Sequence, residues 1–410
     1  MSRTLVLISL LVLCSIAAVS AGAKSGDAPY QTGYDSWRSF ATDVGWTHSG
    51  TVAGAGGLTL AASGLTSGTD APDAYYTGNY YNGGSYQVGE ATSPVTATFG
   101  FTEAIASWNA DTPSGTWVET WIRAEIAGRW TKWYSLGVWA SGDTDVRRHS
   151  VRLQGDTDGF VATDTLVLNG KKAPPATAYQ TKLQLFKTPT AAATPSVRFL
   201  SVATSTAAPD PGALEPSSGV GWNTLLAVPE HSQMVYPDGG NVWCSPTSVS
   251  MVLAYWNPYI GTDPAHTGPI ETRVRTTVEG VYDWIYDGHG NWPFNTAFAA
   301  TEGMEASVAR FTSMNDVEEW VAAGVPVVFS WAWKKGEVTG SAVSSSDGHL
   351  AVIVGFDGAG NPIVNDPASP TNEGVQRTYN RAELETVWLR ASGGTVYLIY
   401  PKGRTGLPAL

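Results

Sequence analysis

Between residues 34 and 202 the chain is built from short β-type runs in which like positions recur every second residue. In the run 116–126, Trp117, Glu119, Trp121, Arg123 and Glu125 share one side, and in 132–140 Trp133, Ser135, Gly137 and Trp139 do the same. That period of two is the repeat of a strand with one face against a core. Further runs at 150–153, 163–168, 182–186 and 197–201 are separated by Gly, Asp, Asn and Pro. The spacing predicts an antiparallel all-β sandwich or jelly roll over residues 30–205, with no long helix.

The character changes after a stretch reading TAAPDPGALEPSSGVG at 206–221, which has the composition of an interdomain linker. Beyond it, helical spacing at 244–256, 270–286, 293–302, 315–323 and 381–388 is followed by strand-like runs at 306–311, 325–333, 350–356, 362–365 and 395–400. Helices gathered first and strands later predict an α+β domain over 222–410. The linker implies that this second half folds by itself.

At the start, Arg3 precedes an apolar run from Leu5 to Val19 that ends in Ser20, Ala21, Gly22 and Ala23. This is the pattern of a secretory signal peptide over residues 1–23, so the mature protein is expected to be secreted, with no membrane segment after cleavage. Charged residues are only 15% of the chain, against about 25% in an average soluble protein. The net charge of −12, with scattered Lys and Arg, argues against nucleic acid and against an anionic membrane surface.

Export sharpens the meaning of the cysteines. Of the two, Cys14 belongs to the signal, which leaves Cys244 as a lone thiol in an oxidising compartment. Its context is Asn241-Val-Trp-Cys-Ser-Pro-Thr-Ser-Val-Ser-Met-Val-Leu-Ala-Tyr-Trp256. A Gly239-Gly240-Asn241 loop precedes it, and Val249, Val252, Leu253 and Trp256 follow at helical spacing. Cys244 therefore opens a buried helix, where free N–H groups and the dipole favour the thiolate. A nucleophile of this kind needs a base and a group to orient the base. His349 stands at the mouth of an apolar strand, and Asp366 ends the next one, seventeen residues later. A hairpin turning at 357–360 brings the two side by side, with one ring nitrogen for Asp366 and the other for sulfur. Gln233 is a candidate oxyanion donor.

The set Gln233, Trp243, Cys244, Pro246, Ser248, Met251, then His349, Gly355, Asn365, Asp366 and Pro367 resembles the papain-like cysteine peptidases of the bacteriocin-leader-processing type, also called double-glycine leader peptidases, in an extracellular branch without transporter domains. The resemblance spans residues 228–401. It implies a papain-like fold for the second half, with Cys244 as nucleophile, His349 as general base and acid, Asp366 as orienting carboxylate and Gln233 as oxyanion donor. It also implies a peptide or protein substrate, a cell-wall peptide among the options, and no cofactor. Two departures stand out: Ser245 replaces the usual glycine, and the gap from Gln233 to Cys244 is longer than in papain.

The Ser245 departure motivates an alternative, an extracellular glycan- or surface-binding protein whose papain-like domain is catalytically silent. The aromatic residues Tyr75, Tyr76, Tyr80, Tyr81, Trp117, Trp121, Trp130, Trp133 and Trp139 make carbohydrate a possible ligand of the first domain. No metal site is expected: His231, His266 and His289 lack paired ligand spacing, and Asp143, Asp145, Asp156 and Asp158 lack the closing Glu of a calcium loop.

Overall fold

The structure is a computed structural model that describes residues 29–410, apart from 74, 75, 77, 171–173, 209, 210, 212, 213 and 261–268. The signal-peptide reading at 1–23, Tyr75 and His266 lie outside the described residues. Among the described residues, no helix is long and apolar enough to cross a membrane.

The first half is a sandwich of two antiparallel sheets. One sheet centres on β3 (Glu103–Asp111) and β8 (Ser196–Ser205), with β1 (Thr32–Trp37) and β6 (Thr165–Leu168) beside them. The other centres on β4 (Thr116–Ile126) and β7 (Ala176–Lys187), with β2 (Ser85–Thr92) and β5 (Tyr134–Trp139) as neighbours. Along β4, Ile122, Ala124 and Ile126 are buried while Trp121, Arg123 and Glu125 are half-exposed, the alternation of a strand with one wet face. Trp117 and Glu119 share that outward side yet are fully buried, because Tyr80, Tyr81 and Phe186 cover them.

The second half holds five helices among its described residues and a six-strand antiparallel ladder in the order β9-β14-β10-β11-β12-β13. These strands are β9 (Met304–Arg310), β10 (Val327–Trp333), β11 (Ser346–Phe356), β12 (Pro362–Asn365), β13 (Gln376–Thr378) and β14 (Thr395–Pro401). The helices are α1 (Cys244–Ile260), α2 (Ile270–Val281), α3 (Trp292–Thr301), α4 (Met314–Ala322) and α5 (Arg381–Ser392). The expected two-domain architecture, a sandwich followed by an α+β domain, is what forms.

Three local expectations differ, each for a visible reason. The segment 150–153 is not a strand: Ser150 N–H donates to the Asp283 carboxylate at 2.9 Å, and the Gln154 side chain takes the place of a neighbouring strand by bonding both Ser135 N–H (2.7 Å) and C=O (2.8 Å). Helix α2 stops at Val281 rather than 286, because Asp283 captures the N–H groups of Ile285 and Tyr286. The end of the linker is docked rather than loose, with the Ser217 and Ser218 hydroxyls both donating to Glu318 of α4.

The two halves share one continuous hydrophobic core. Among the described residues strand β9 pairs only with β14, which leaves the backbone groups of its other edge without a strand partner. The sandwich satisfies them: Asn109 of β3 donates to the Ala306 carbonyl (2.6 Å) and accepts from Ala306 N–H (3.2 Å), while Ser107 accepts from Val308 N–H (3.0 Å). Phe294 of α3 packs against Trp108 and Trp139, and Arg310 pairs with Glu103 at 2.5 Å. These contacts tie the second half to the sandwich.

Expressed alone, residues 206–410 are therefore expected to be insoluble or to lack cooperative unfolding; a soluble fragment with a sharp denaturant transition would contradict this. In the whole protein Asn109→Ala should cost about 1–3 kcal/mol, since it strands two buried backbone groups. Chemical denaturation measures it.

Candidate active site

Helix α1 is buried on almost every side, with Val249, Met251, Val252 and Trp256 in the core. It is pinned to the sheet by Ser248 Oγ donating to the Leu350 carbonyl (3.2 Å) and by Trp256 Nε1 donating to that of Ile399 (2.8 Å). Cys244 is its first residue and is partly exposed. The loop before it is tight: a Cβ on Gly240 would lie 2.0 Å from the Gln233 carbonyl oxygen, so only glycine lets the chain wrap this closely.

His349 lies in β11, opposite Trp331 of β10. Strands β11 and β12 form the expected hairpin, turned by Asp357, whose carboxylate accepts from Ala359 and Asn361 N–H, and by Gly360, at φ +78° and pressed against the Trp222 ring. The hairpin delivers Asp366 to His349. Nε2 of the imidazole donates to Asp366 Oδ1 at 2.8 Å, which leaves Nδ1 free of the carboxylate, and the Cys244 sulfur is near enough to shift the ring's proton affinity. Asp366 is 0% exposed and accepts from two further donors: Ala368 N–H to Oδ1 (3.0 Å) and the Tyr379 hydroxyl to Oδ2 (2.7 Å).

The electrostatics follow from these contacts. Burial alone disfavours imidazolium, but the Asp366 carboxylate and the Cys244 sulfur outweigh it and push the His349 pKa up to about 10. Burial likewise works against the thiolate, yet the hydrogen bond and charge of His349, with the N–H groups of Leu350 and Ser245, bring Cys244 below an ordinary thiol. Asp366 is held low, burial being overcome by His349, Tyr379 and Ala368. Together these shifts favour a thiolate beside an imidazolium.

Gln233 sits between the two halves of this constellation. Its N–H donates to the Pro367 carbonyl (2.9 Å), one residue past Asp366, and its Nε2 to the Gly240 carbonyl (2.6 Å), four residues before Cys244. None of its hydrogen bonds among the described residues goes to Cys244, His349 or Asp366, and its buried Oε1 has no partner. One of its two amide N–H bonds thus stays uncommitted. The buried Ser245 hydroxyl lies 3.1 Å from that of Tyr397 of β14.

Sequence reasoning missed Tyr379, Trp331 and Trp333. The two tryptophans stack at 3.9 Å, and both lie within 6 Å of the His349 ring. Their signal was present, since a strand carrying two tryptophans next to the histidine strand must line its face. Tyr379 had none, lying in a turn thirteen residues from the carboxylate it serves. Of the other histidines, His231 bonds the Tyr236 hydroxyl and His289 packs against Trp243 and Tyr282.

No curated protein matches the chain. One solved structure, described as the structural basis for the promiscuous specificity of carbohydrate-binding modules from the β-sandwich superfamily, aligns with 14% identity and a TM-score of 0.16 over 42% of this chain. This chain spans 59% of that one, and nothing is argued from the likeness. Residues 33–205 match the Peptidase C39 N-terminal domain, and residues 225–396, which include Gln233, Cys244, His349 and Asp366, match the Peptidase_C39 like family. With both of its halves matched in order, the chain belongs to the C39 papain-like cysteine peptidase family.

Proposed function

We propose that the protein is a secreted cysteine peptidase that cleaves amide bonds through Cys244, His349 and Asp366. One observation carries the reading: a half-buried cysteine at a helix N-terminus and an imidazole shift each other's proton affinity, and Nε2 of that imidazole is held by a fully buried carboxylate. The Cys244 thiolate attacks the substrate carbonyl carbon, and the electron pair of the C=O bond moves to oxygen. The oxyanion is met by backbone N–H at the start of α1 and by the free amide N–H of Gln233. As the tetrahedral species collapses, His349 gives its proton to the departing nitrogen, the C–N bond breaks and a thioester remains. His349 then takes a proton from water, whose oxygen attacks the thioester and frees the acid and the thiolate. The substrate is a peptide or protein, and secretion rests on the signal pattern at 1–23.

Three measurements test this. Cys244→Ser should lower kcat/KM on a peptide library at least a hundredfold with melting nearly unchanged, and His349→Ala should be about as severe, because such groups act as a unit. A Cys244→Ser variant keeping more than about a hundredth of wild-type activity would sink the cysteine nucleophile.

The iodoacetamide alkylation rate of Cys244 should vary less than about threefold between pH 6 and 8, where a free thiol of pKa ~8.5 changes by roughly eightyfold. Asp366→Asn should move the profile to higher pH, since it removes the charge that raises His349. A wild-type rate rising tenfold per pH unit would refute the ion pair.

Asp366→Asn should itself cost only about tenfold in kcat/KM, far less than the ~10⁴-fold of serine triads. The Asn oxygen can still accept from His349 and Ala368, and the Tyr379 hydroxyl can turn to accept from the amide. Asp366→Ala should cost more. Equal losses would remove Asp366 from an orienting role.

A further inference from the structure

Of the aromatic residues in the sandwich, Trp117 and Trp139 are buried in its cores, and Tyr80 and Tyr81 spend their hydroxyls on buried Glu119. Three tryptophans stand apart. Trp121 of β4, Trp130 of the short strand Arg129–Trp130 and Trp133 are half-exposed on the outer side of the β4–β7 sheet. Arg123 and Lys182 are interleaved with them. The Arg123 guanidinium lies 4.6 Å from the Trp130 ring centre and 4.7 Å from that of Trp133, and Lys182 Nζ lies 5.0 Å from Trp133 and 5.2 Å from Trp121. The result is a ladder of five side chains, Trp130-Arg123-Trp133-Lys182-Trp121, running across paired strands whose register sets Trp121 opposite Lys182 and Arg123 opposite Gln180.

Polar planar groups fix the ladder from below. Trp121 Nε1 donates to Gln184 Oε1 (2.9 Å), Arg123 donates to Gln180 Oε1 through Nε (3.1 Å) and Nη2 (2.5 Å), Gln180 Nε2 donates to the Ser93 carbonyl (2.9 Å), and Gln184 Nε2 reaches Glu90 at 3.3 Å. Among the described residues Arg123 forms no ion pair with a carboxylate. Its partners are two rings and an amide, and burial lowers its pKa with no acid to offset it. The side chains are thus already ordered, so a ligand would meet them without the entropy cost of immobilising them.

We propose that this face is a binding platform for a neutral polysaccharide. A pyranose ring offers flat C–H patches bordered by pairs of hydroxyls. It asks for aromatic surface next to guanidinium, amide and carboxylate groups that both donate and accept, and the face supplies Trp121, Trp130 and Trp133 beside Arg123, Gln184 and Glu90. A protein partner fits poorly, because the positions between the tryptophans are charged or amide-bearing and would be buried without matching partners. Nucleic acid fits worse: two cations on a chain of net charge −12 offer little to a phosphate backbone. Spanning four strands at about 4.8 Å each, the platform is long enough for several sugar rings rather than one. The proposal is independent of the peptidase chemistry.

The experiment is calorimetric titration of the whole protein with hexasaccharides of β-1,4-linked glucose and of β-1,4-linked N-acetylglucosamine, and with cell-wall glycan strands stripped of peptide. At least one should bind and quench tryptophan fluorescence. Trp121→Ala and Trp133→Ala should each weaken it about tenfold or more, with the melting curve unchanged. Because a tryptophan truncation can disturb the sheet, the paired Arg123→Gln and Lys182→Gln variant, which keeps side-chain bulk, should also weaken binding several-fold. Absence of binding to all three glycans overturns the proposal. So does binding that survives both tryptophan variants, or capture of a protein through this face with no saccharide bound.

Discussion

A carboxylate cut off from water needs hydrogen-bond donors on both oxygens, and Asp366 imposes that demand on the second half. An ionised group buried without partners costs several kcal/mol, so each oxygen of Asp366 must find donors wherever the chain can bring them. They come from three directions: His349 from β11, Ala368 from the turn after β12, and Tyr379 from the residue before the Asn380 cap of α5. Meeting the demand fixes a strand, a turn and a helix start relative to one another. The same turn holds the segment leading to Cys244, because its Pro367 carbonyl accepts from Gln233 N–H and its Ser369 carbonyl from the Ser232 hydroxyl. One buried charge thereby organises the placement of His349, its proton affinity and the loop that leads to Cys244 together.

What was readable in the sequence was what depends on neighbours close along the chain. The helix opening at Cys244 follows from spacing alone, and the proximity of His349 to Asp366 follows from a short hairpin with a turn that demands glycine at 360. The interface was not readable, since Asn109 meets Ala306 across 197 residues and Ser107 meets Val308 across 201. Ordinary alternation gave no reason to single out either residue. The same blindness produced the local errors. Helix α2 ends early and 150–153 fails to pair because Ser150 and Asp283, 133 residues apart, prefer each other to their local options.

Period two also says which residues share a side of a strand without saying what covers that side. On β4, Trp117, Glu119, Trp121 and Arg123 alternate correctly, yet the first pair is sealed beneath Tyr80, Tyr81 and Phe186 while the second faces solvent. Glu119 marks the divide. Its carboxylate accepts from Tyr80, Tyr81 and Ser135, burial raises its pKa, and the two tyrosines it holds form the roof over Trp117. A polar residue in the middle of an aromatic strand thus decides where core stops and surface begins.

The sandwich reaches the cleft through another buried acid. Ser150 donates both N–H and hydroxyl to Asp283, which also accepts from Ile285 and Tyr286 N–H and, at its other oxygen, from the Asn291 side chain. Asn291 caps α3, whose first N–H is taken by Asp164 of the sandwich at 2.7 Å. The loop between these anchors carries His289 against the ring of Trp243, the residue immediately before Cys244. Packed polar and aromatic groups of this kind transmit displacement rather than absorb it. Cys244 is therefore framed from two sides, by the turn after Asp366 through Gln233 and Gly240 and by Ser150 through Asp283, His289 and Trp243, so the first half of the chain is part of the scaffold around it.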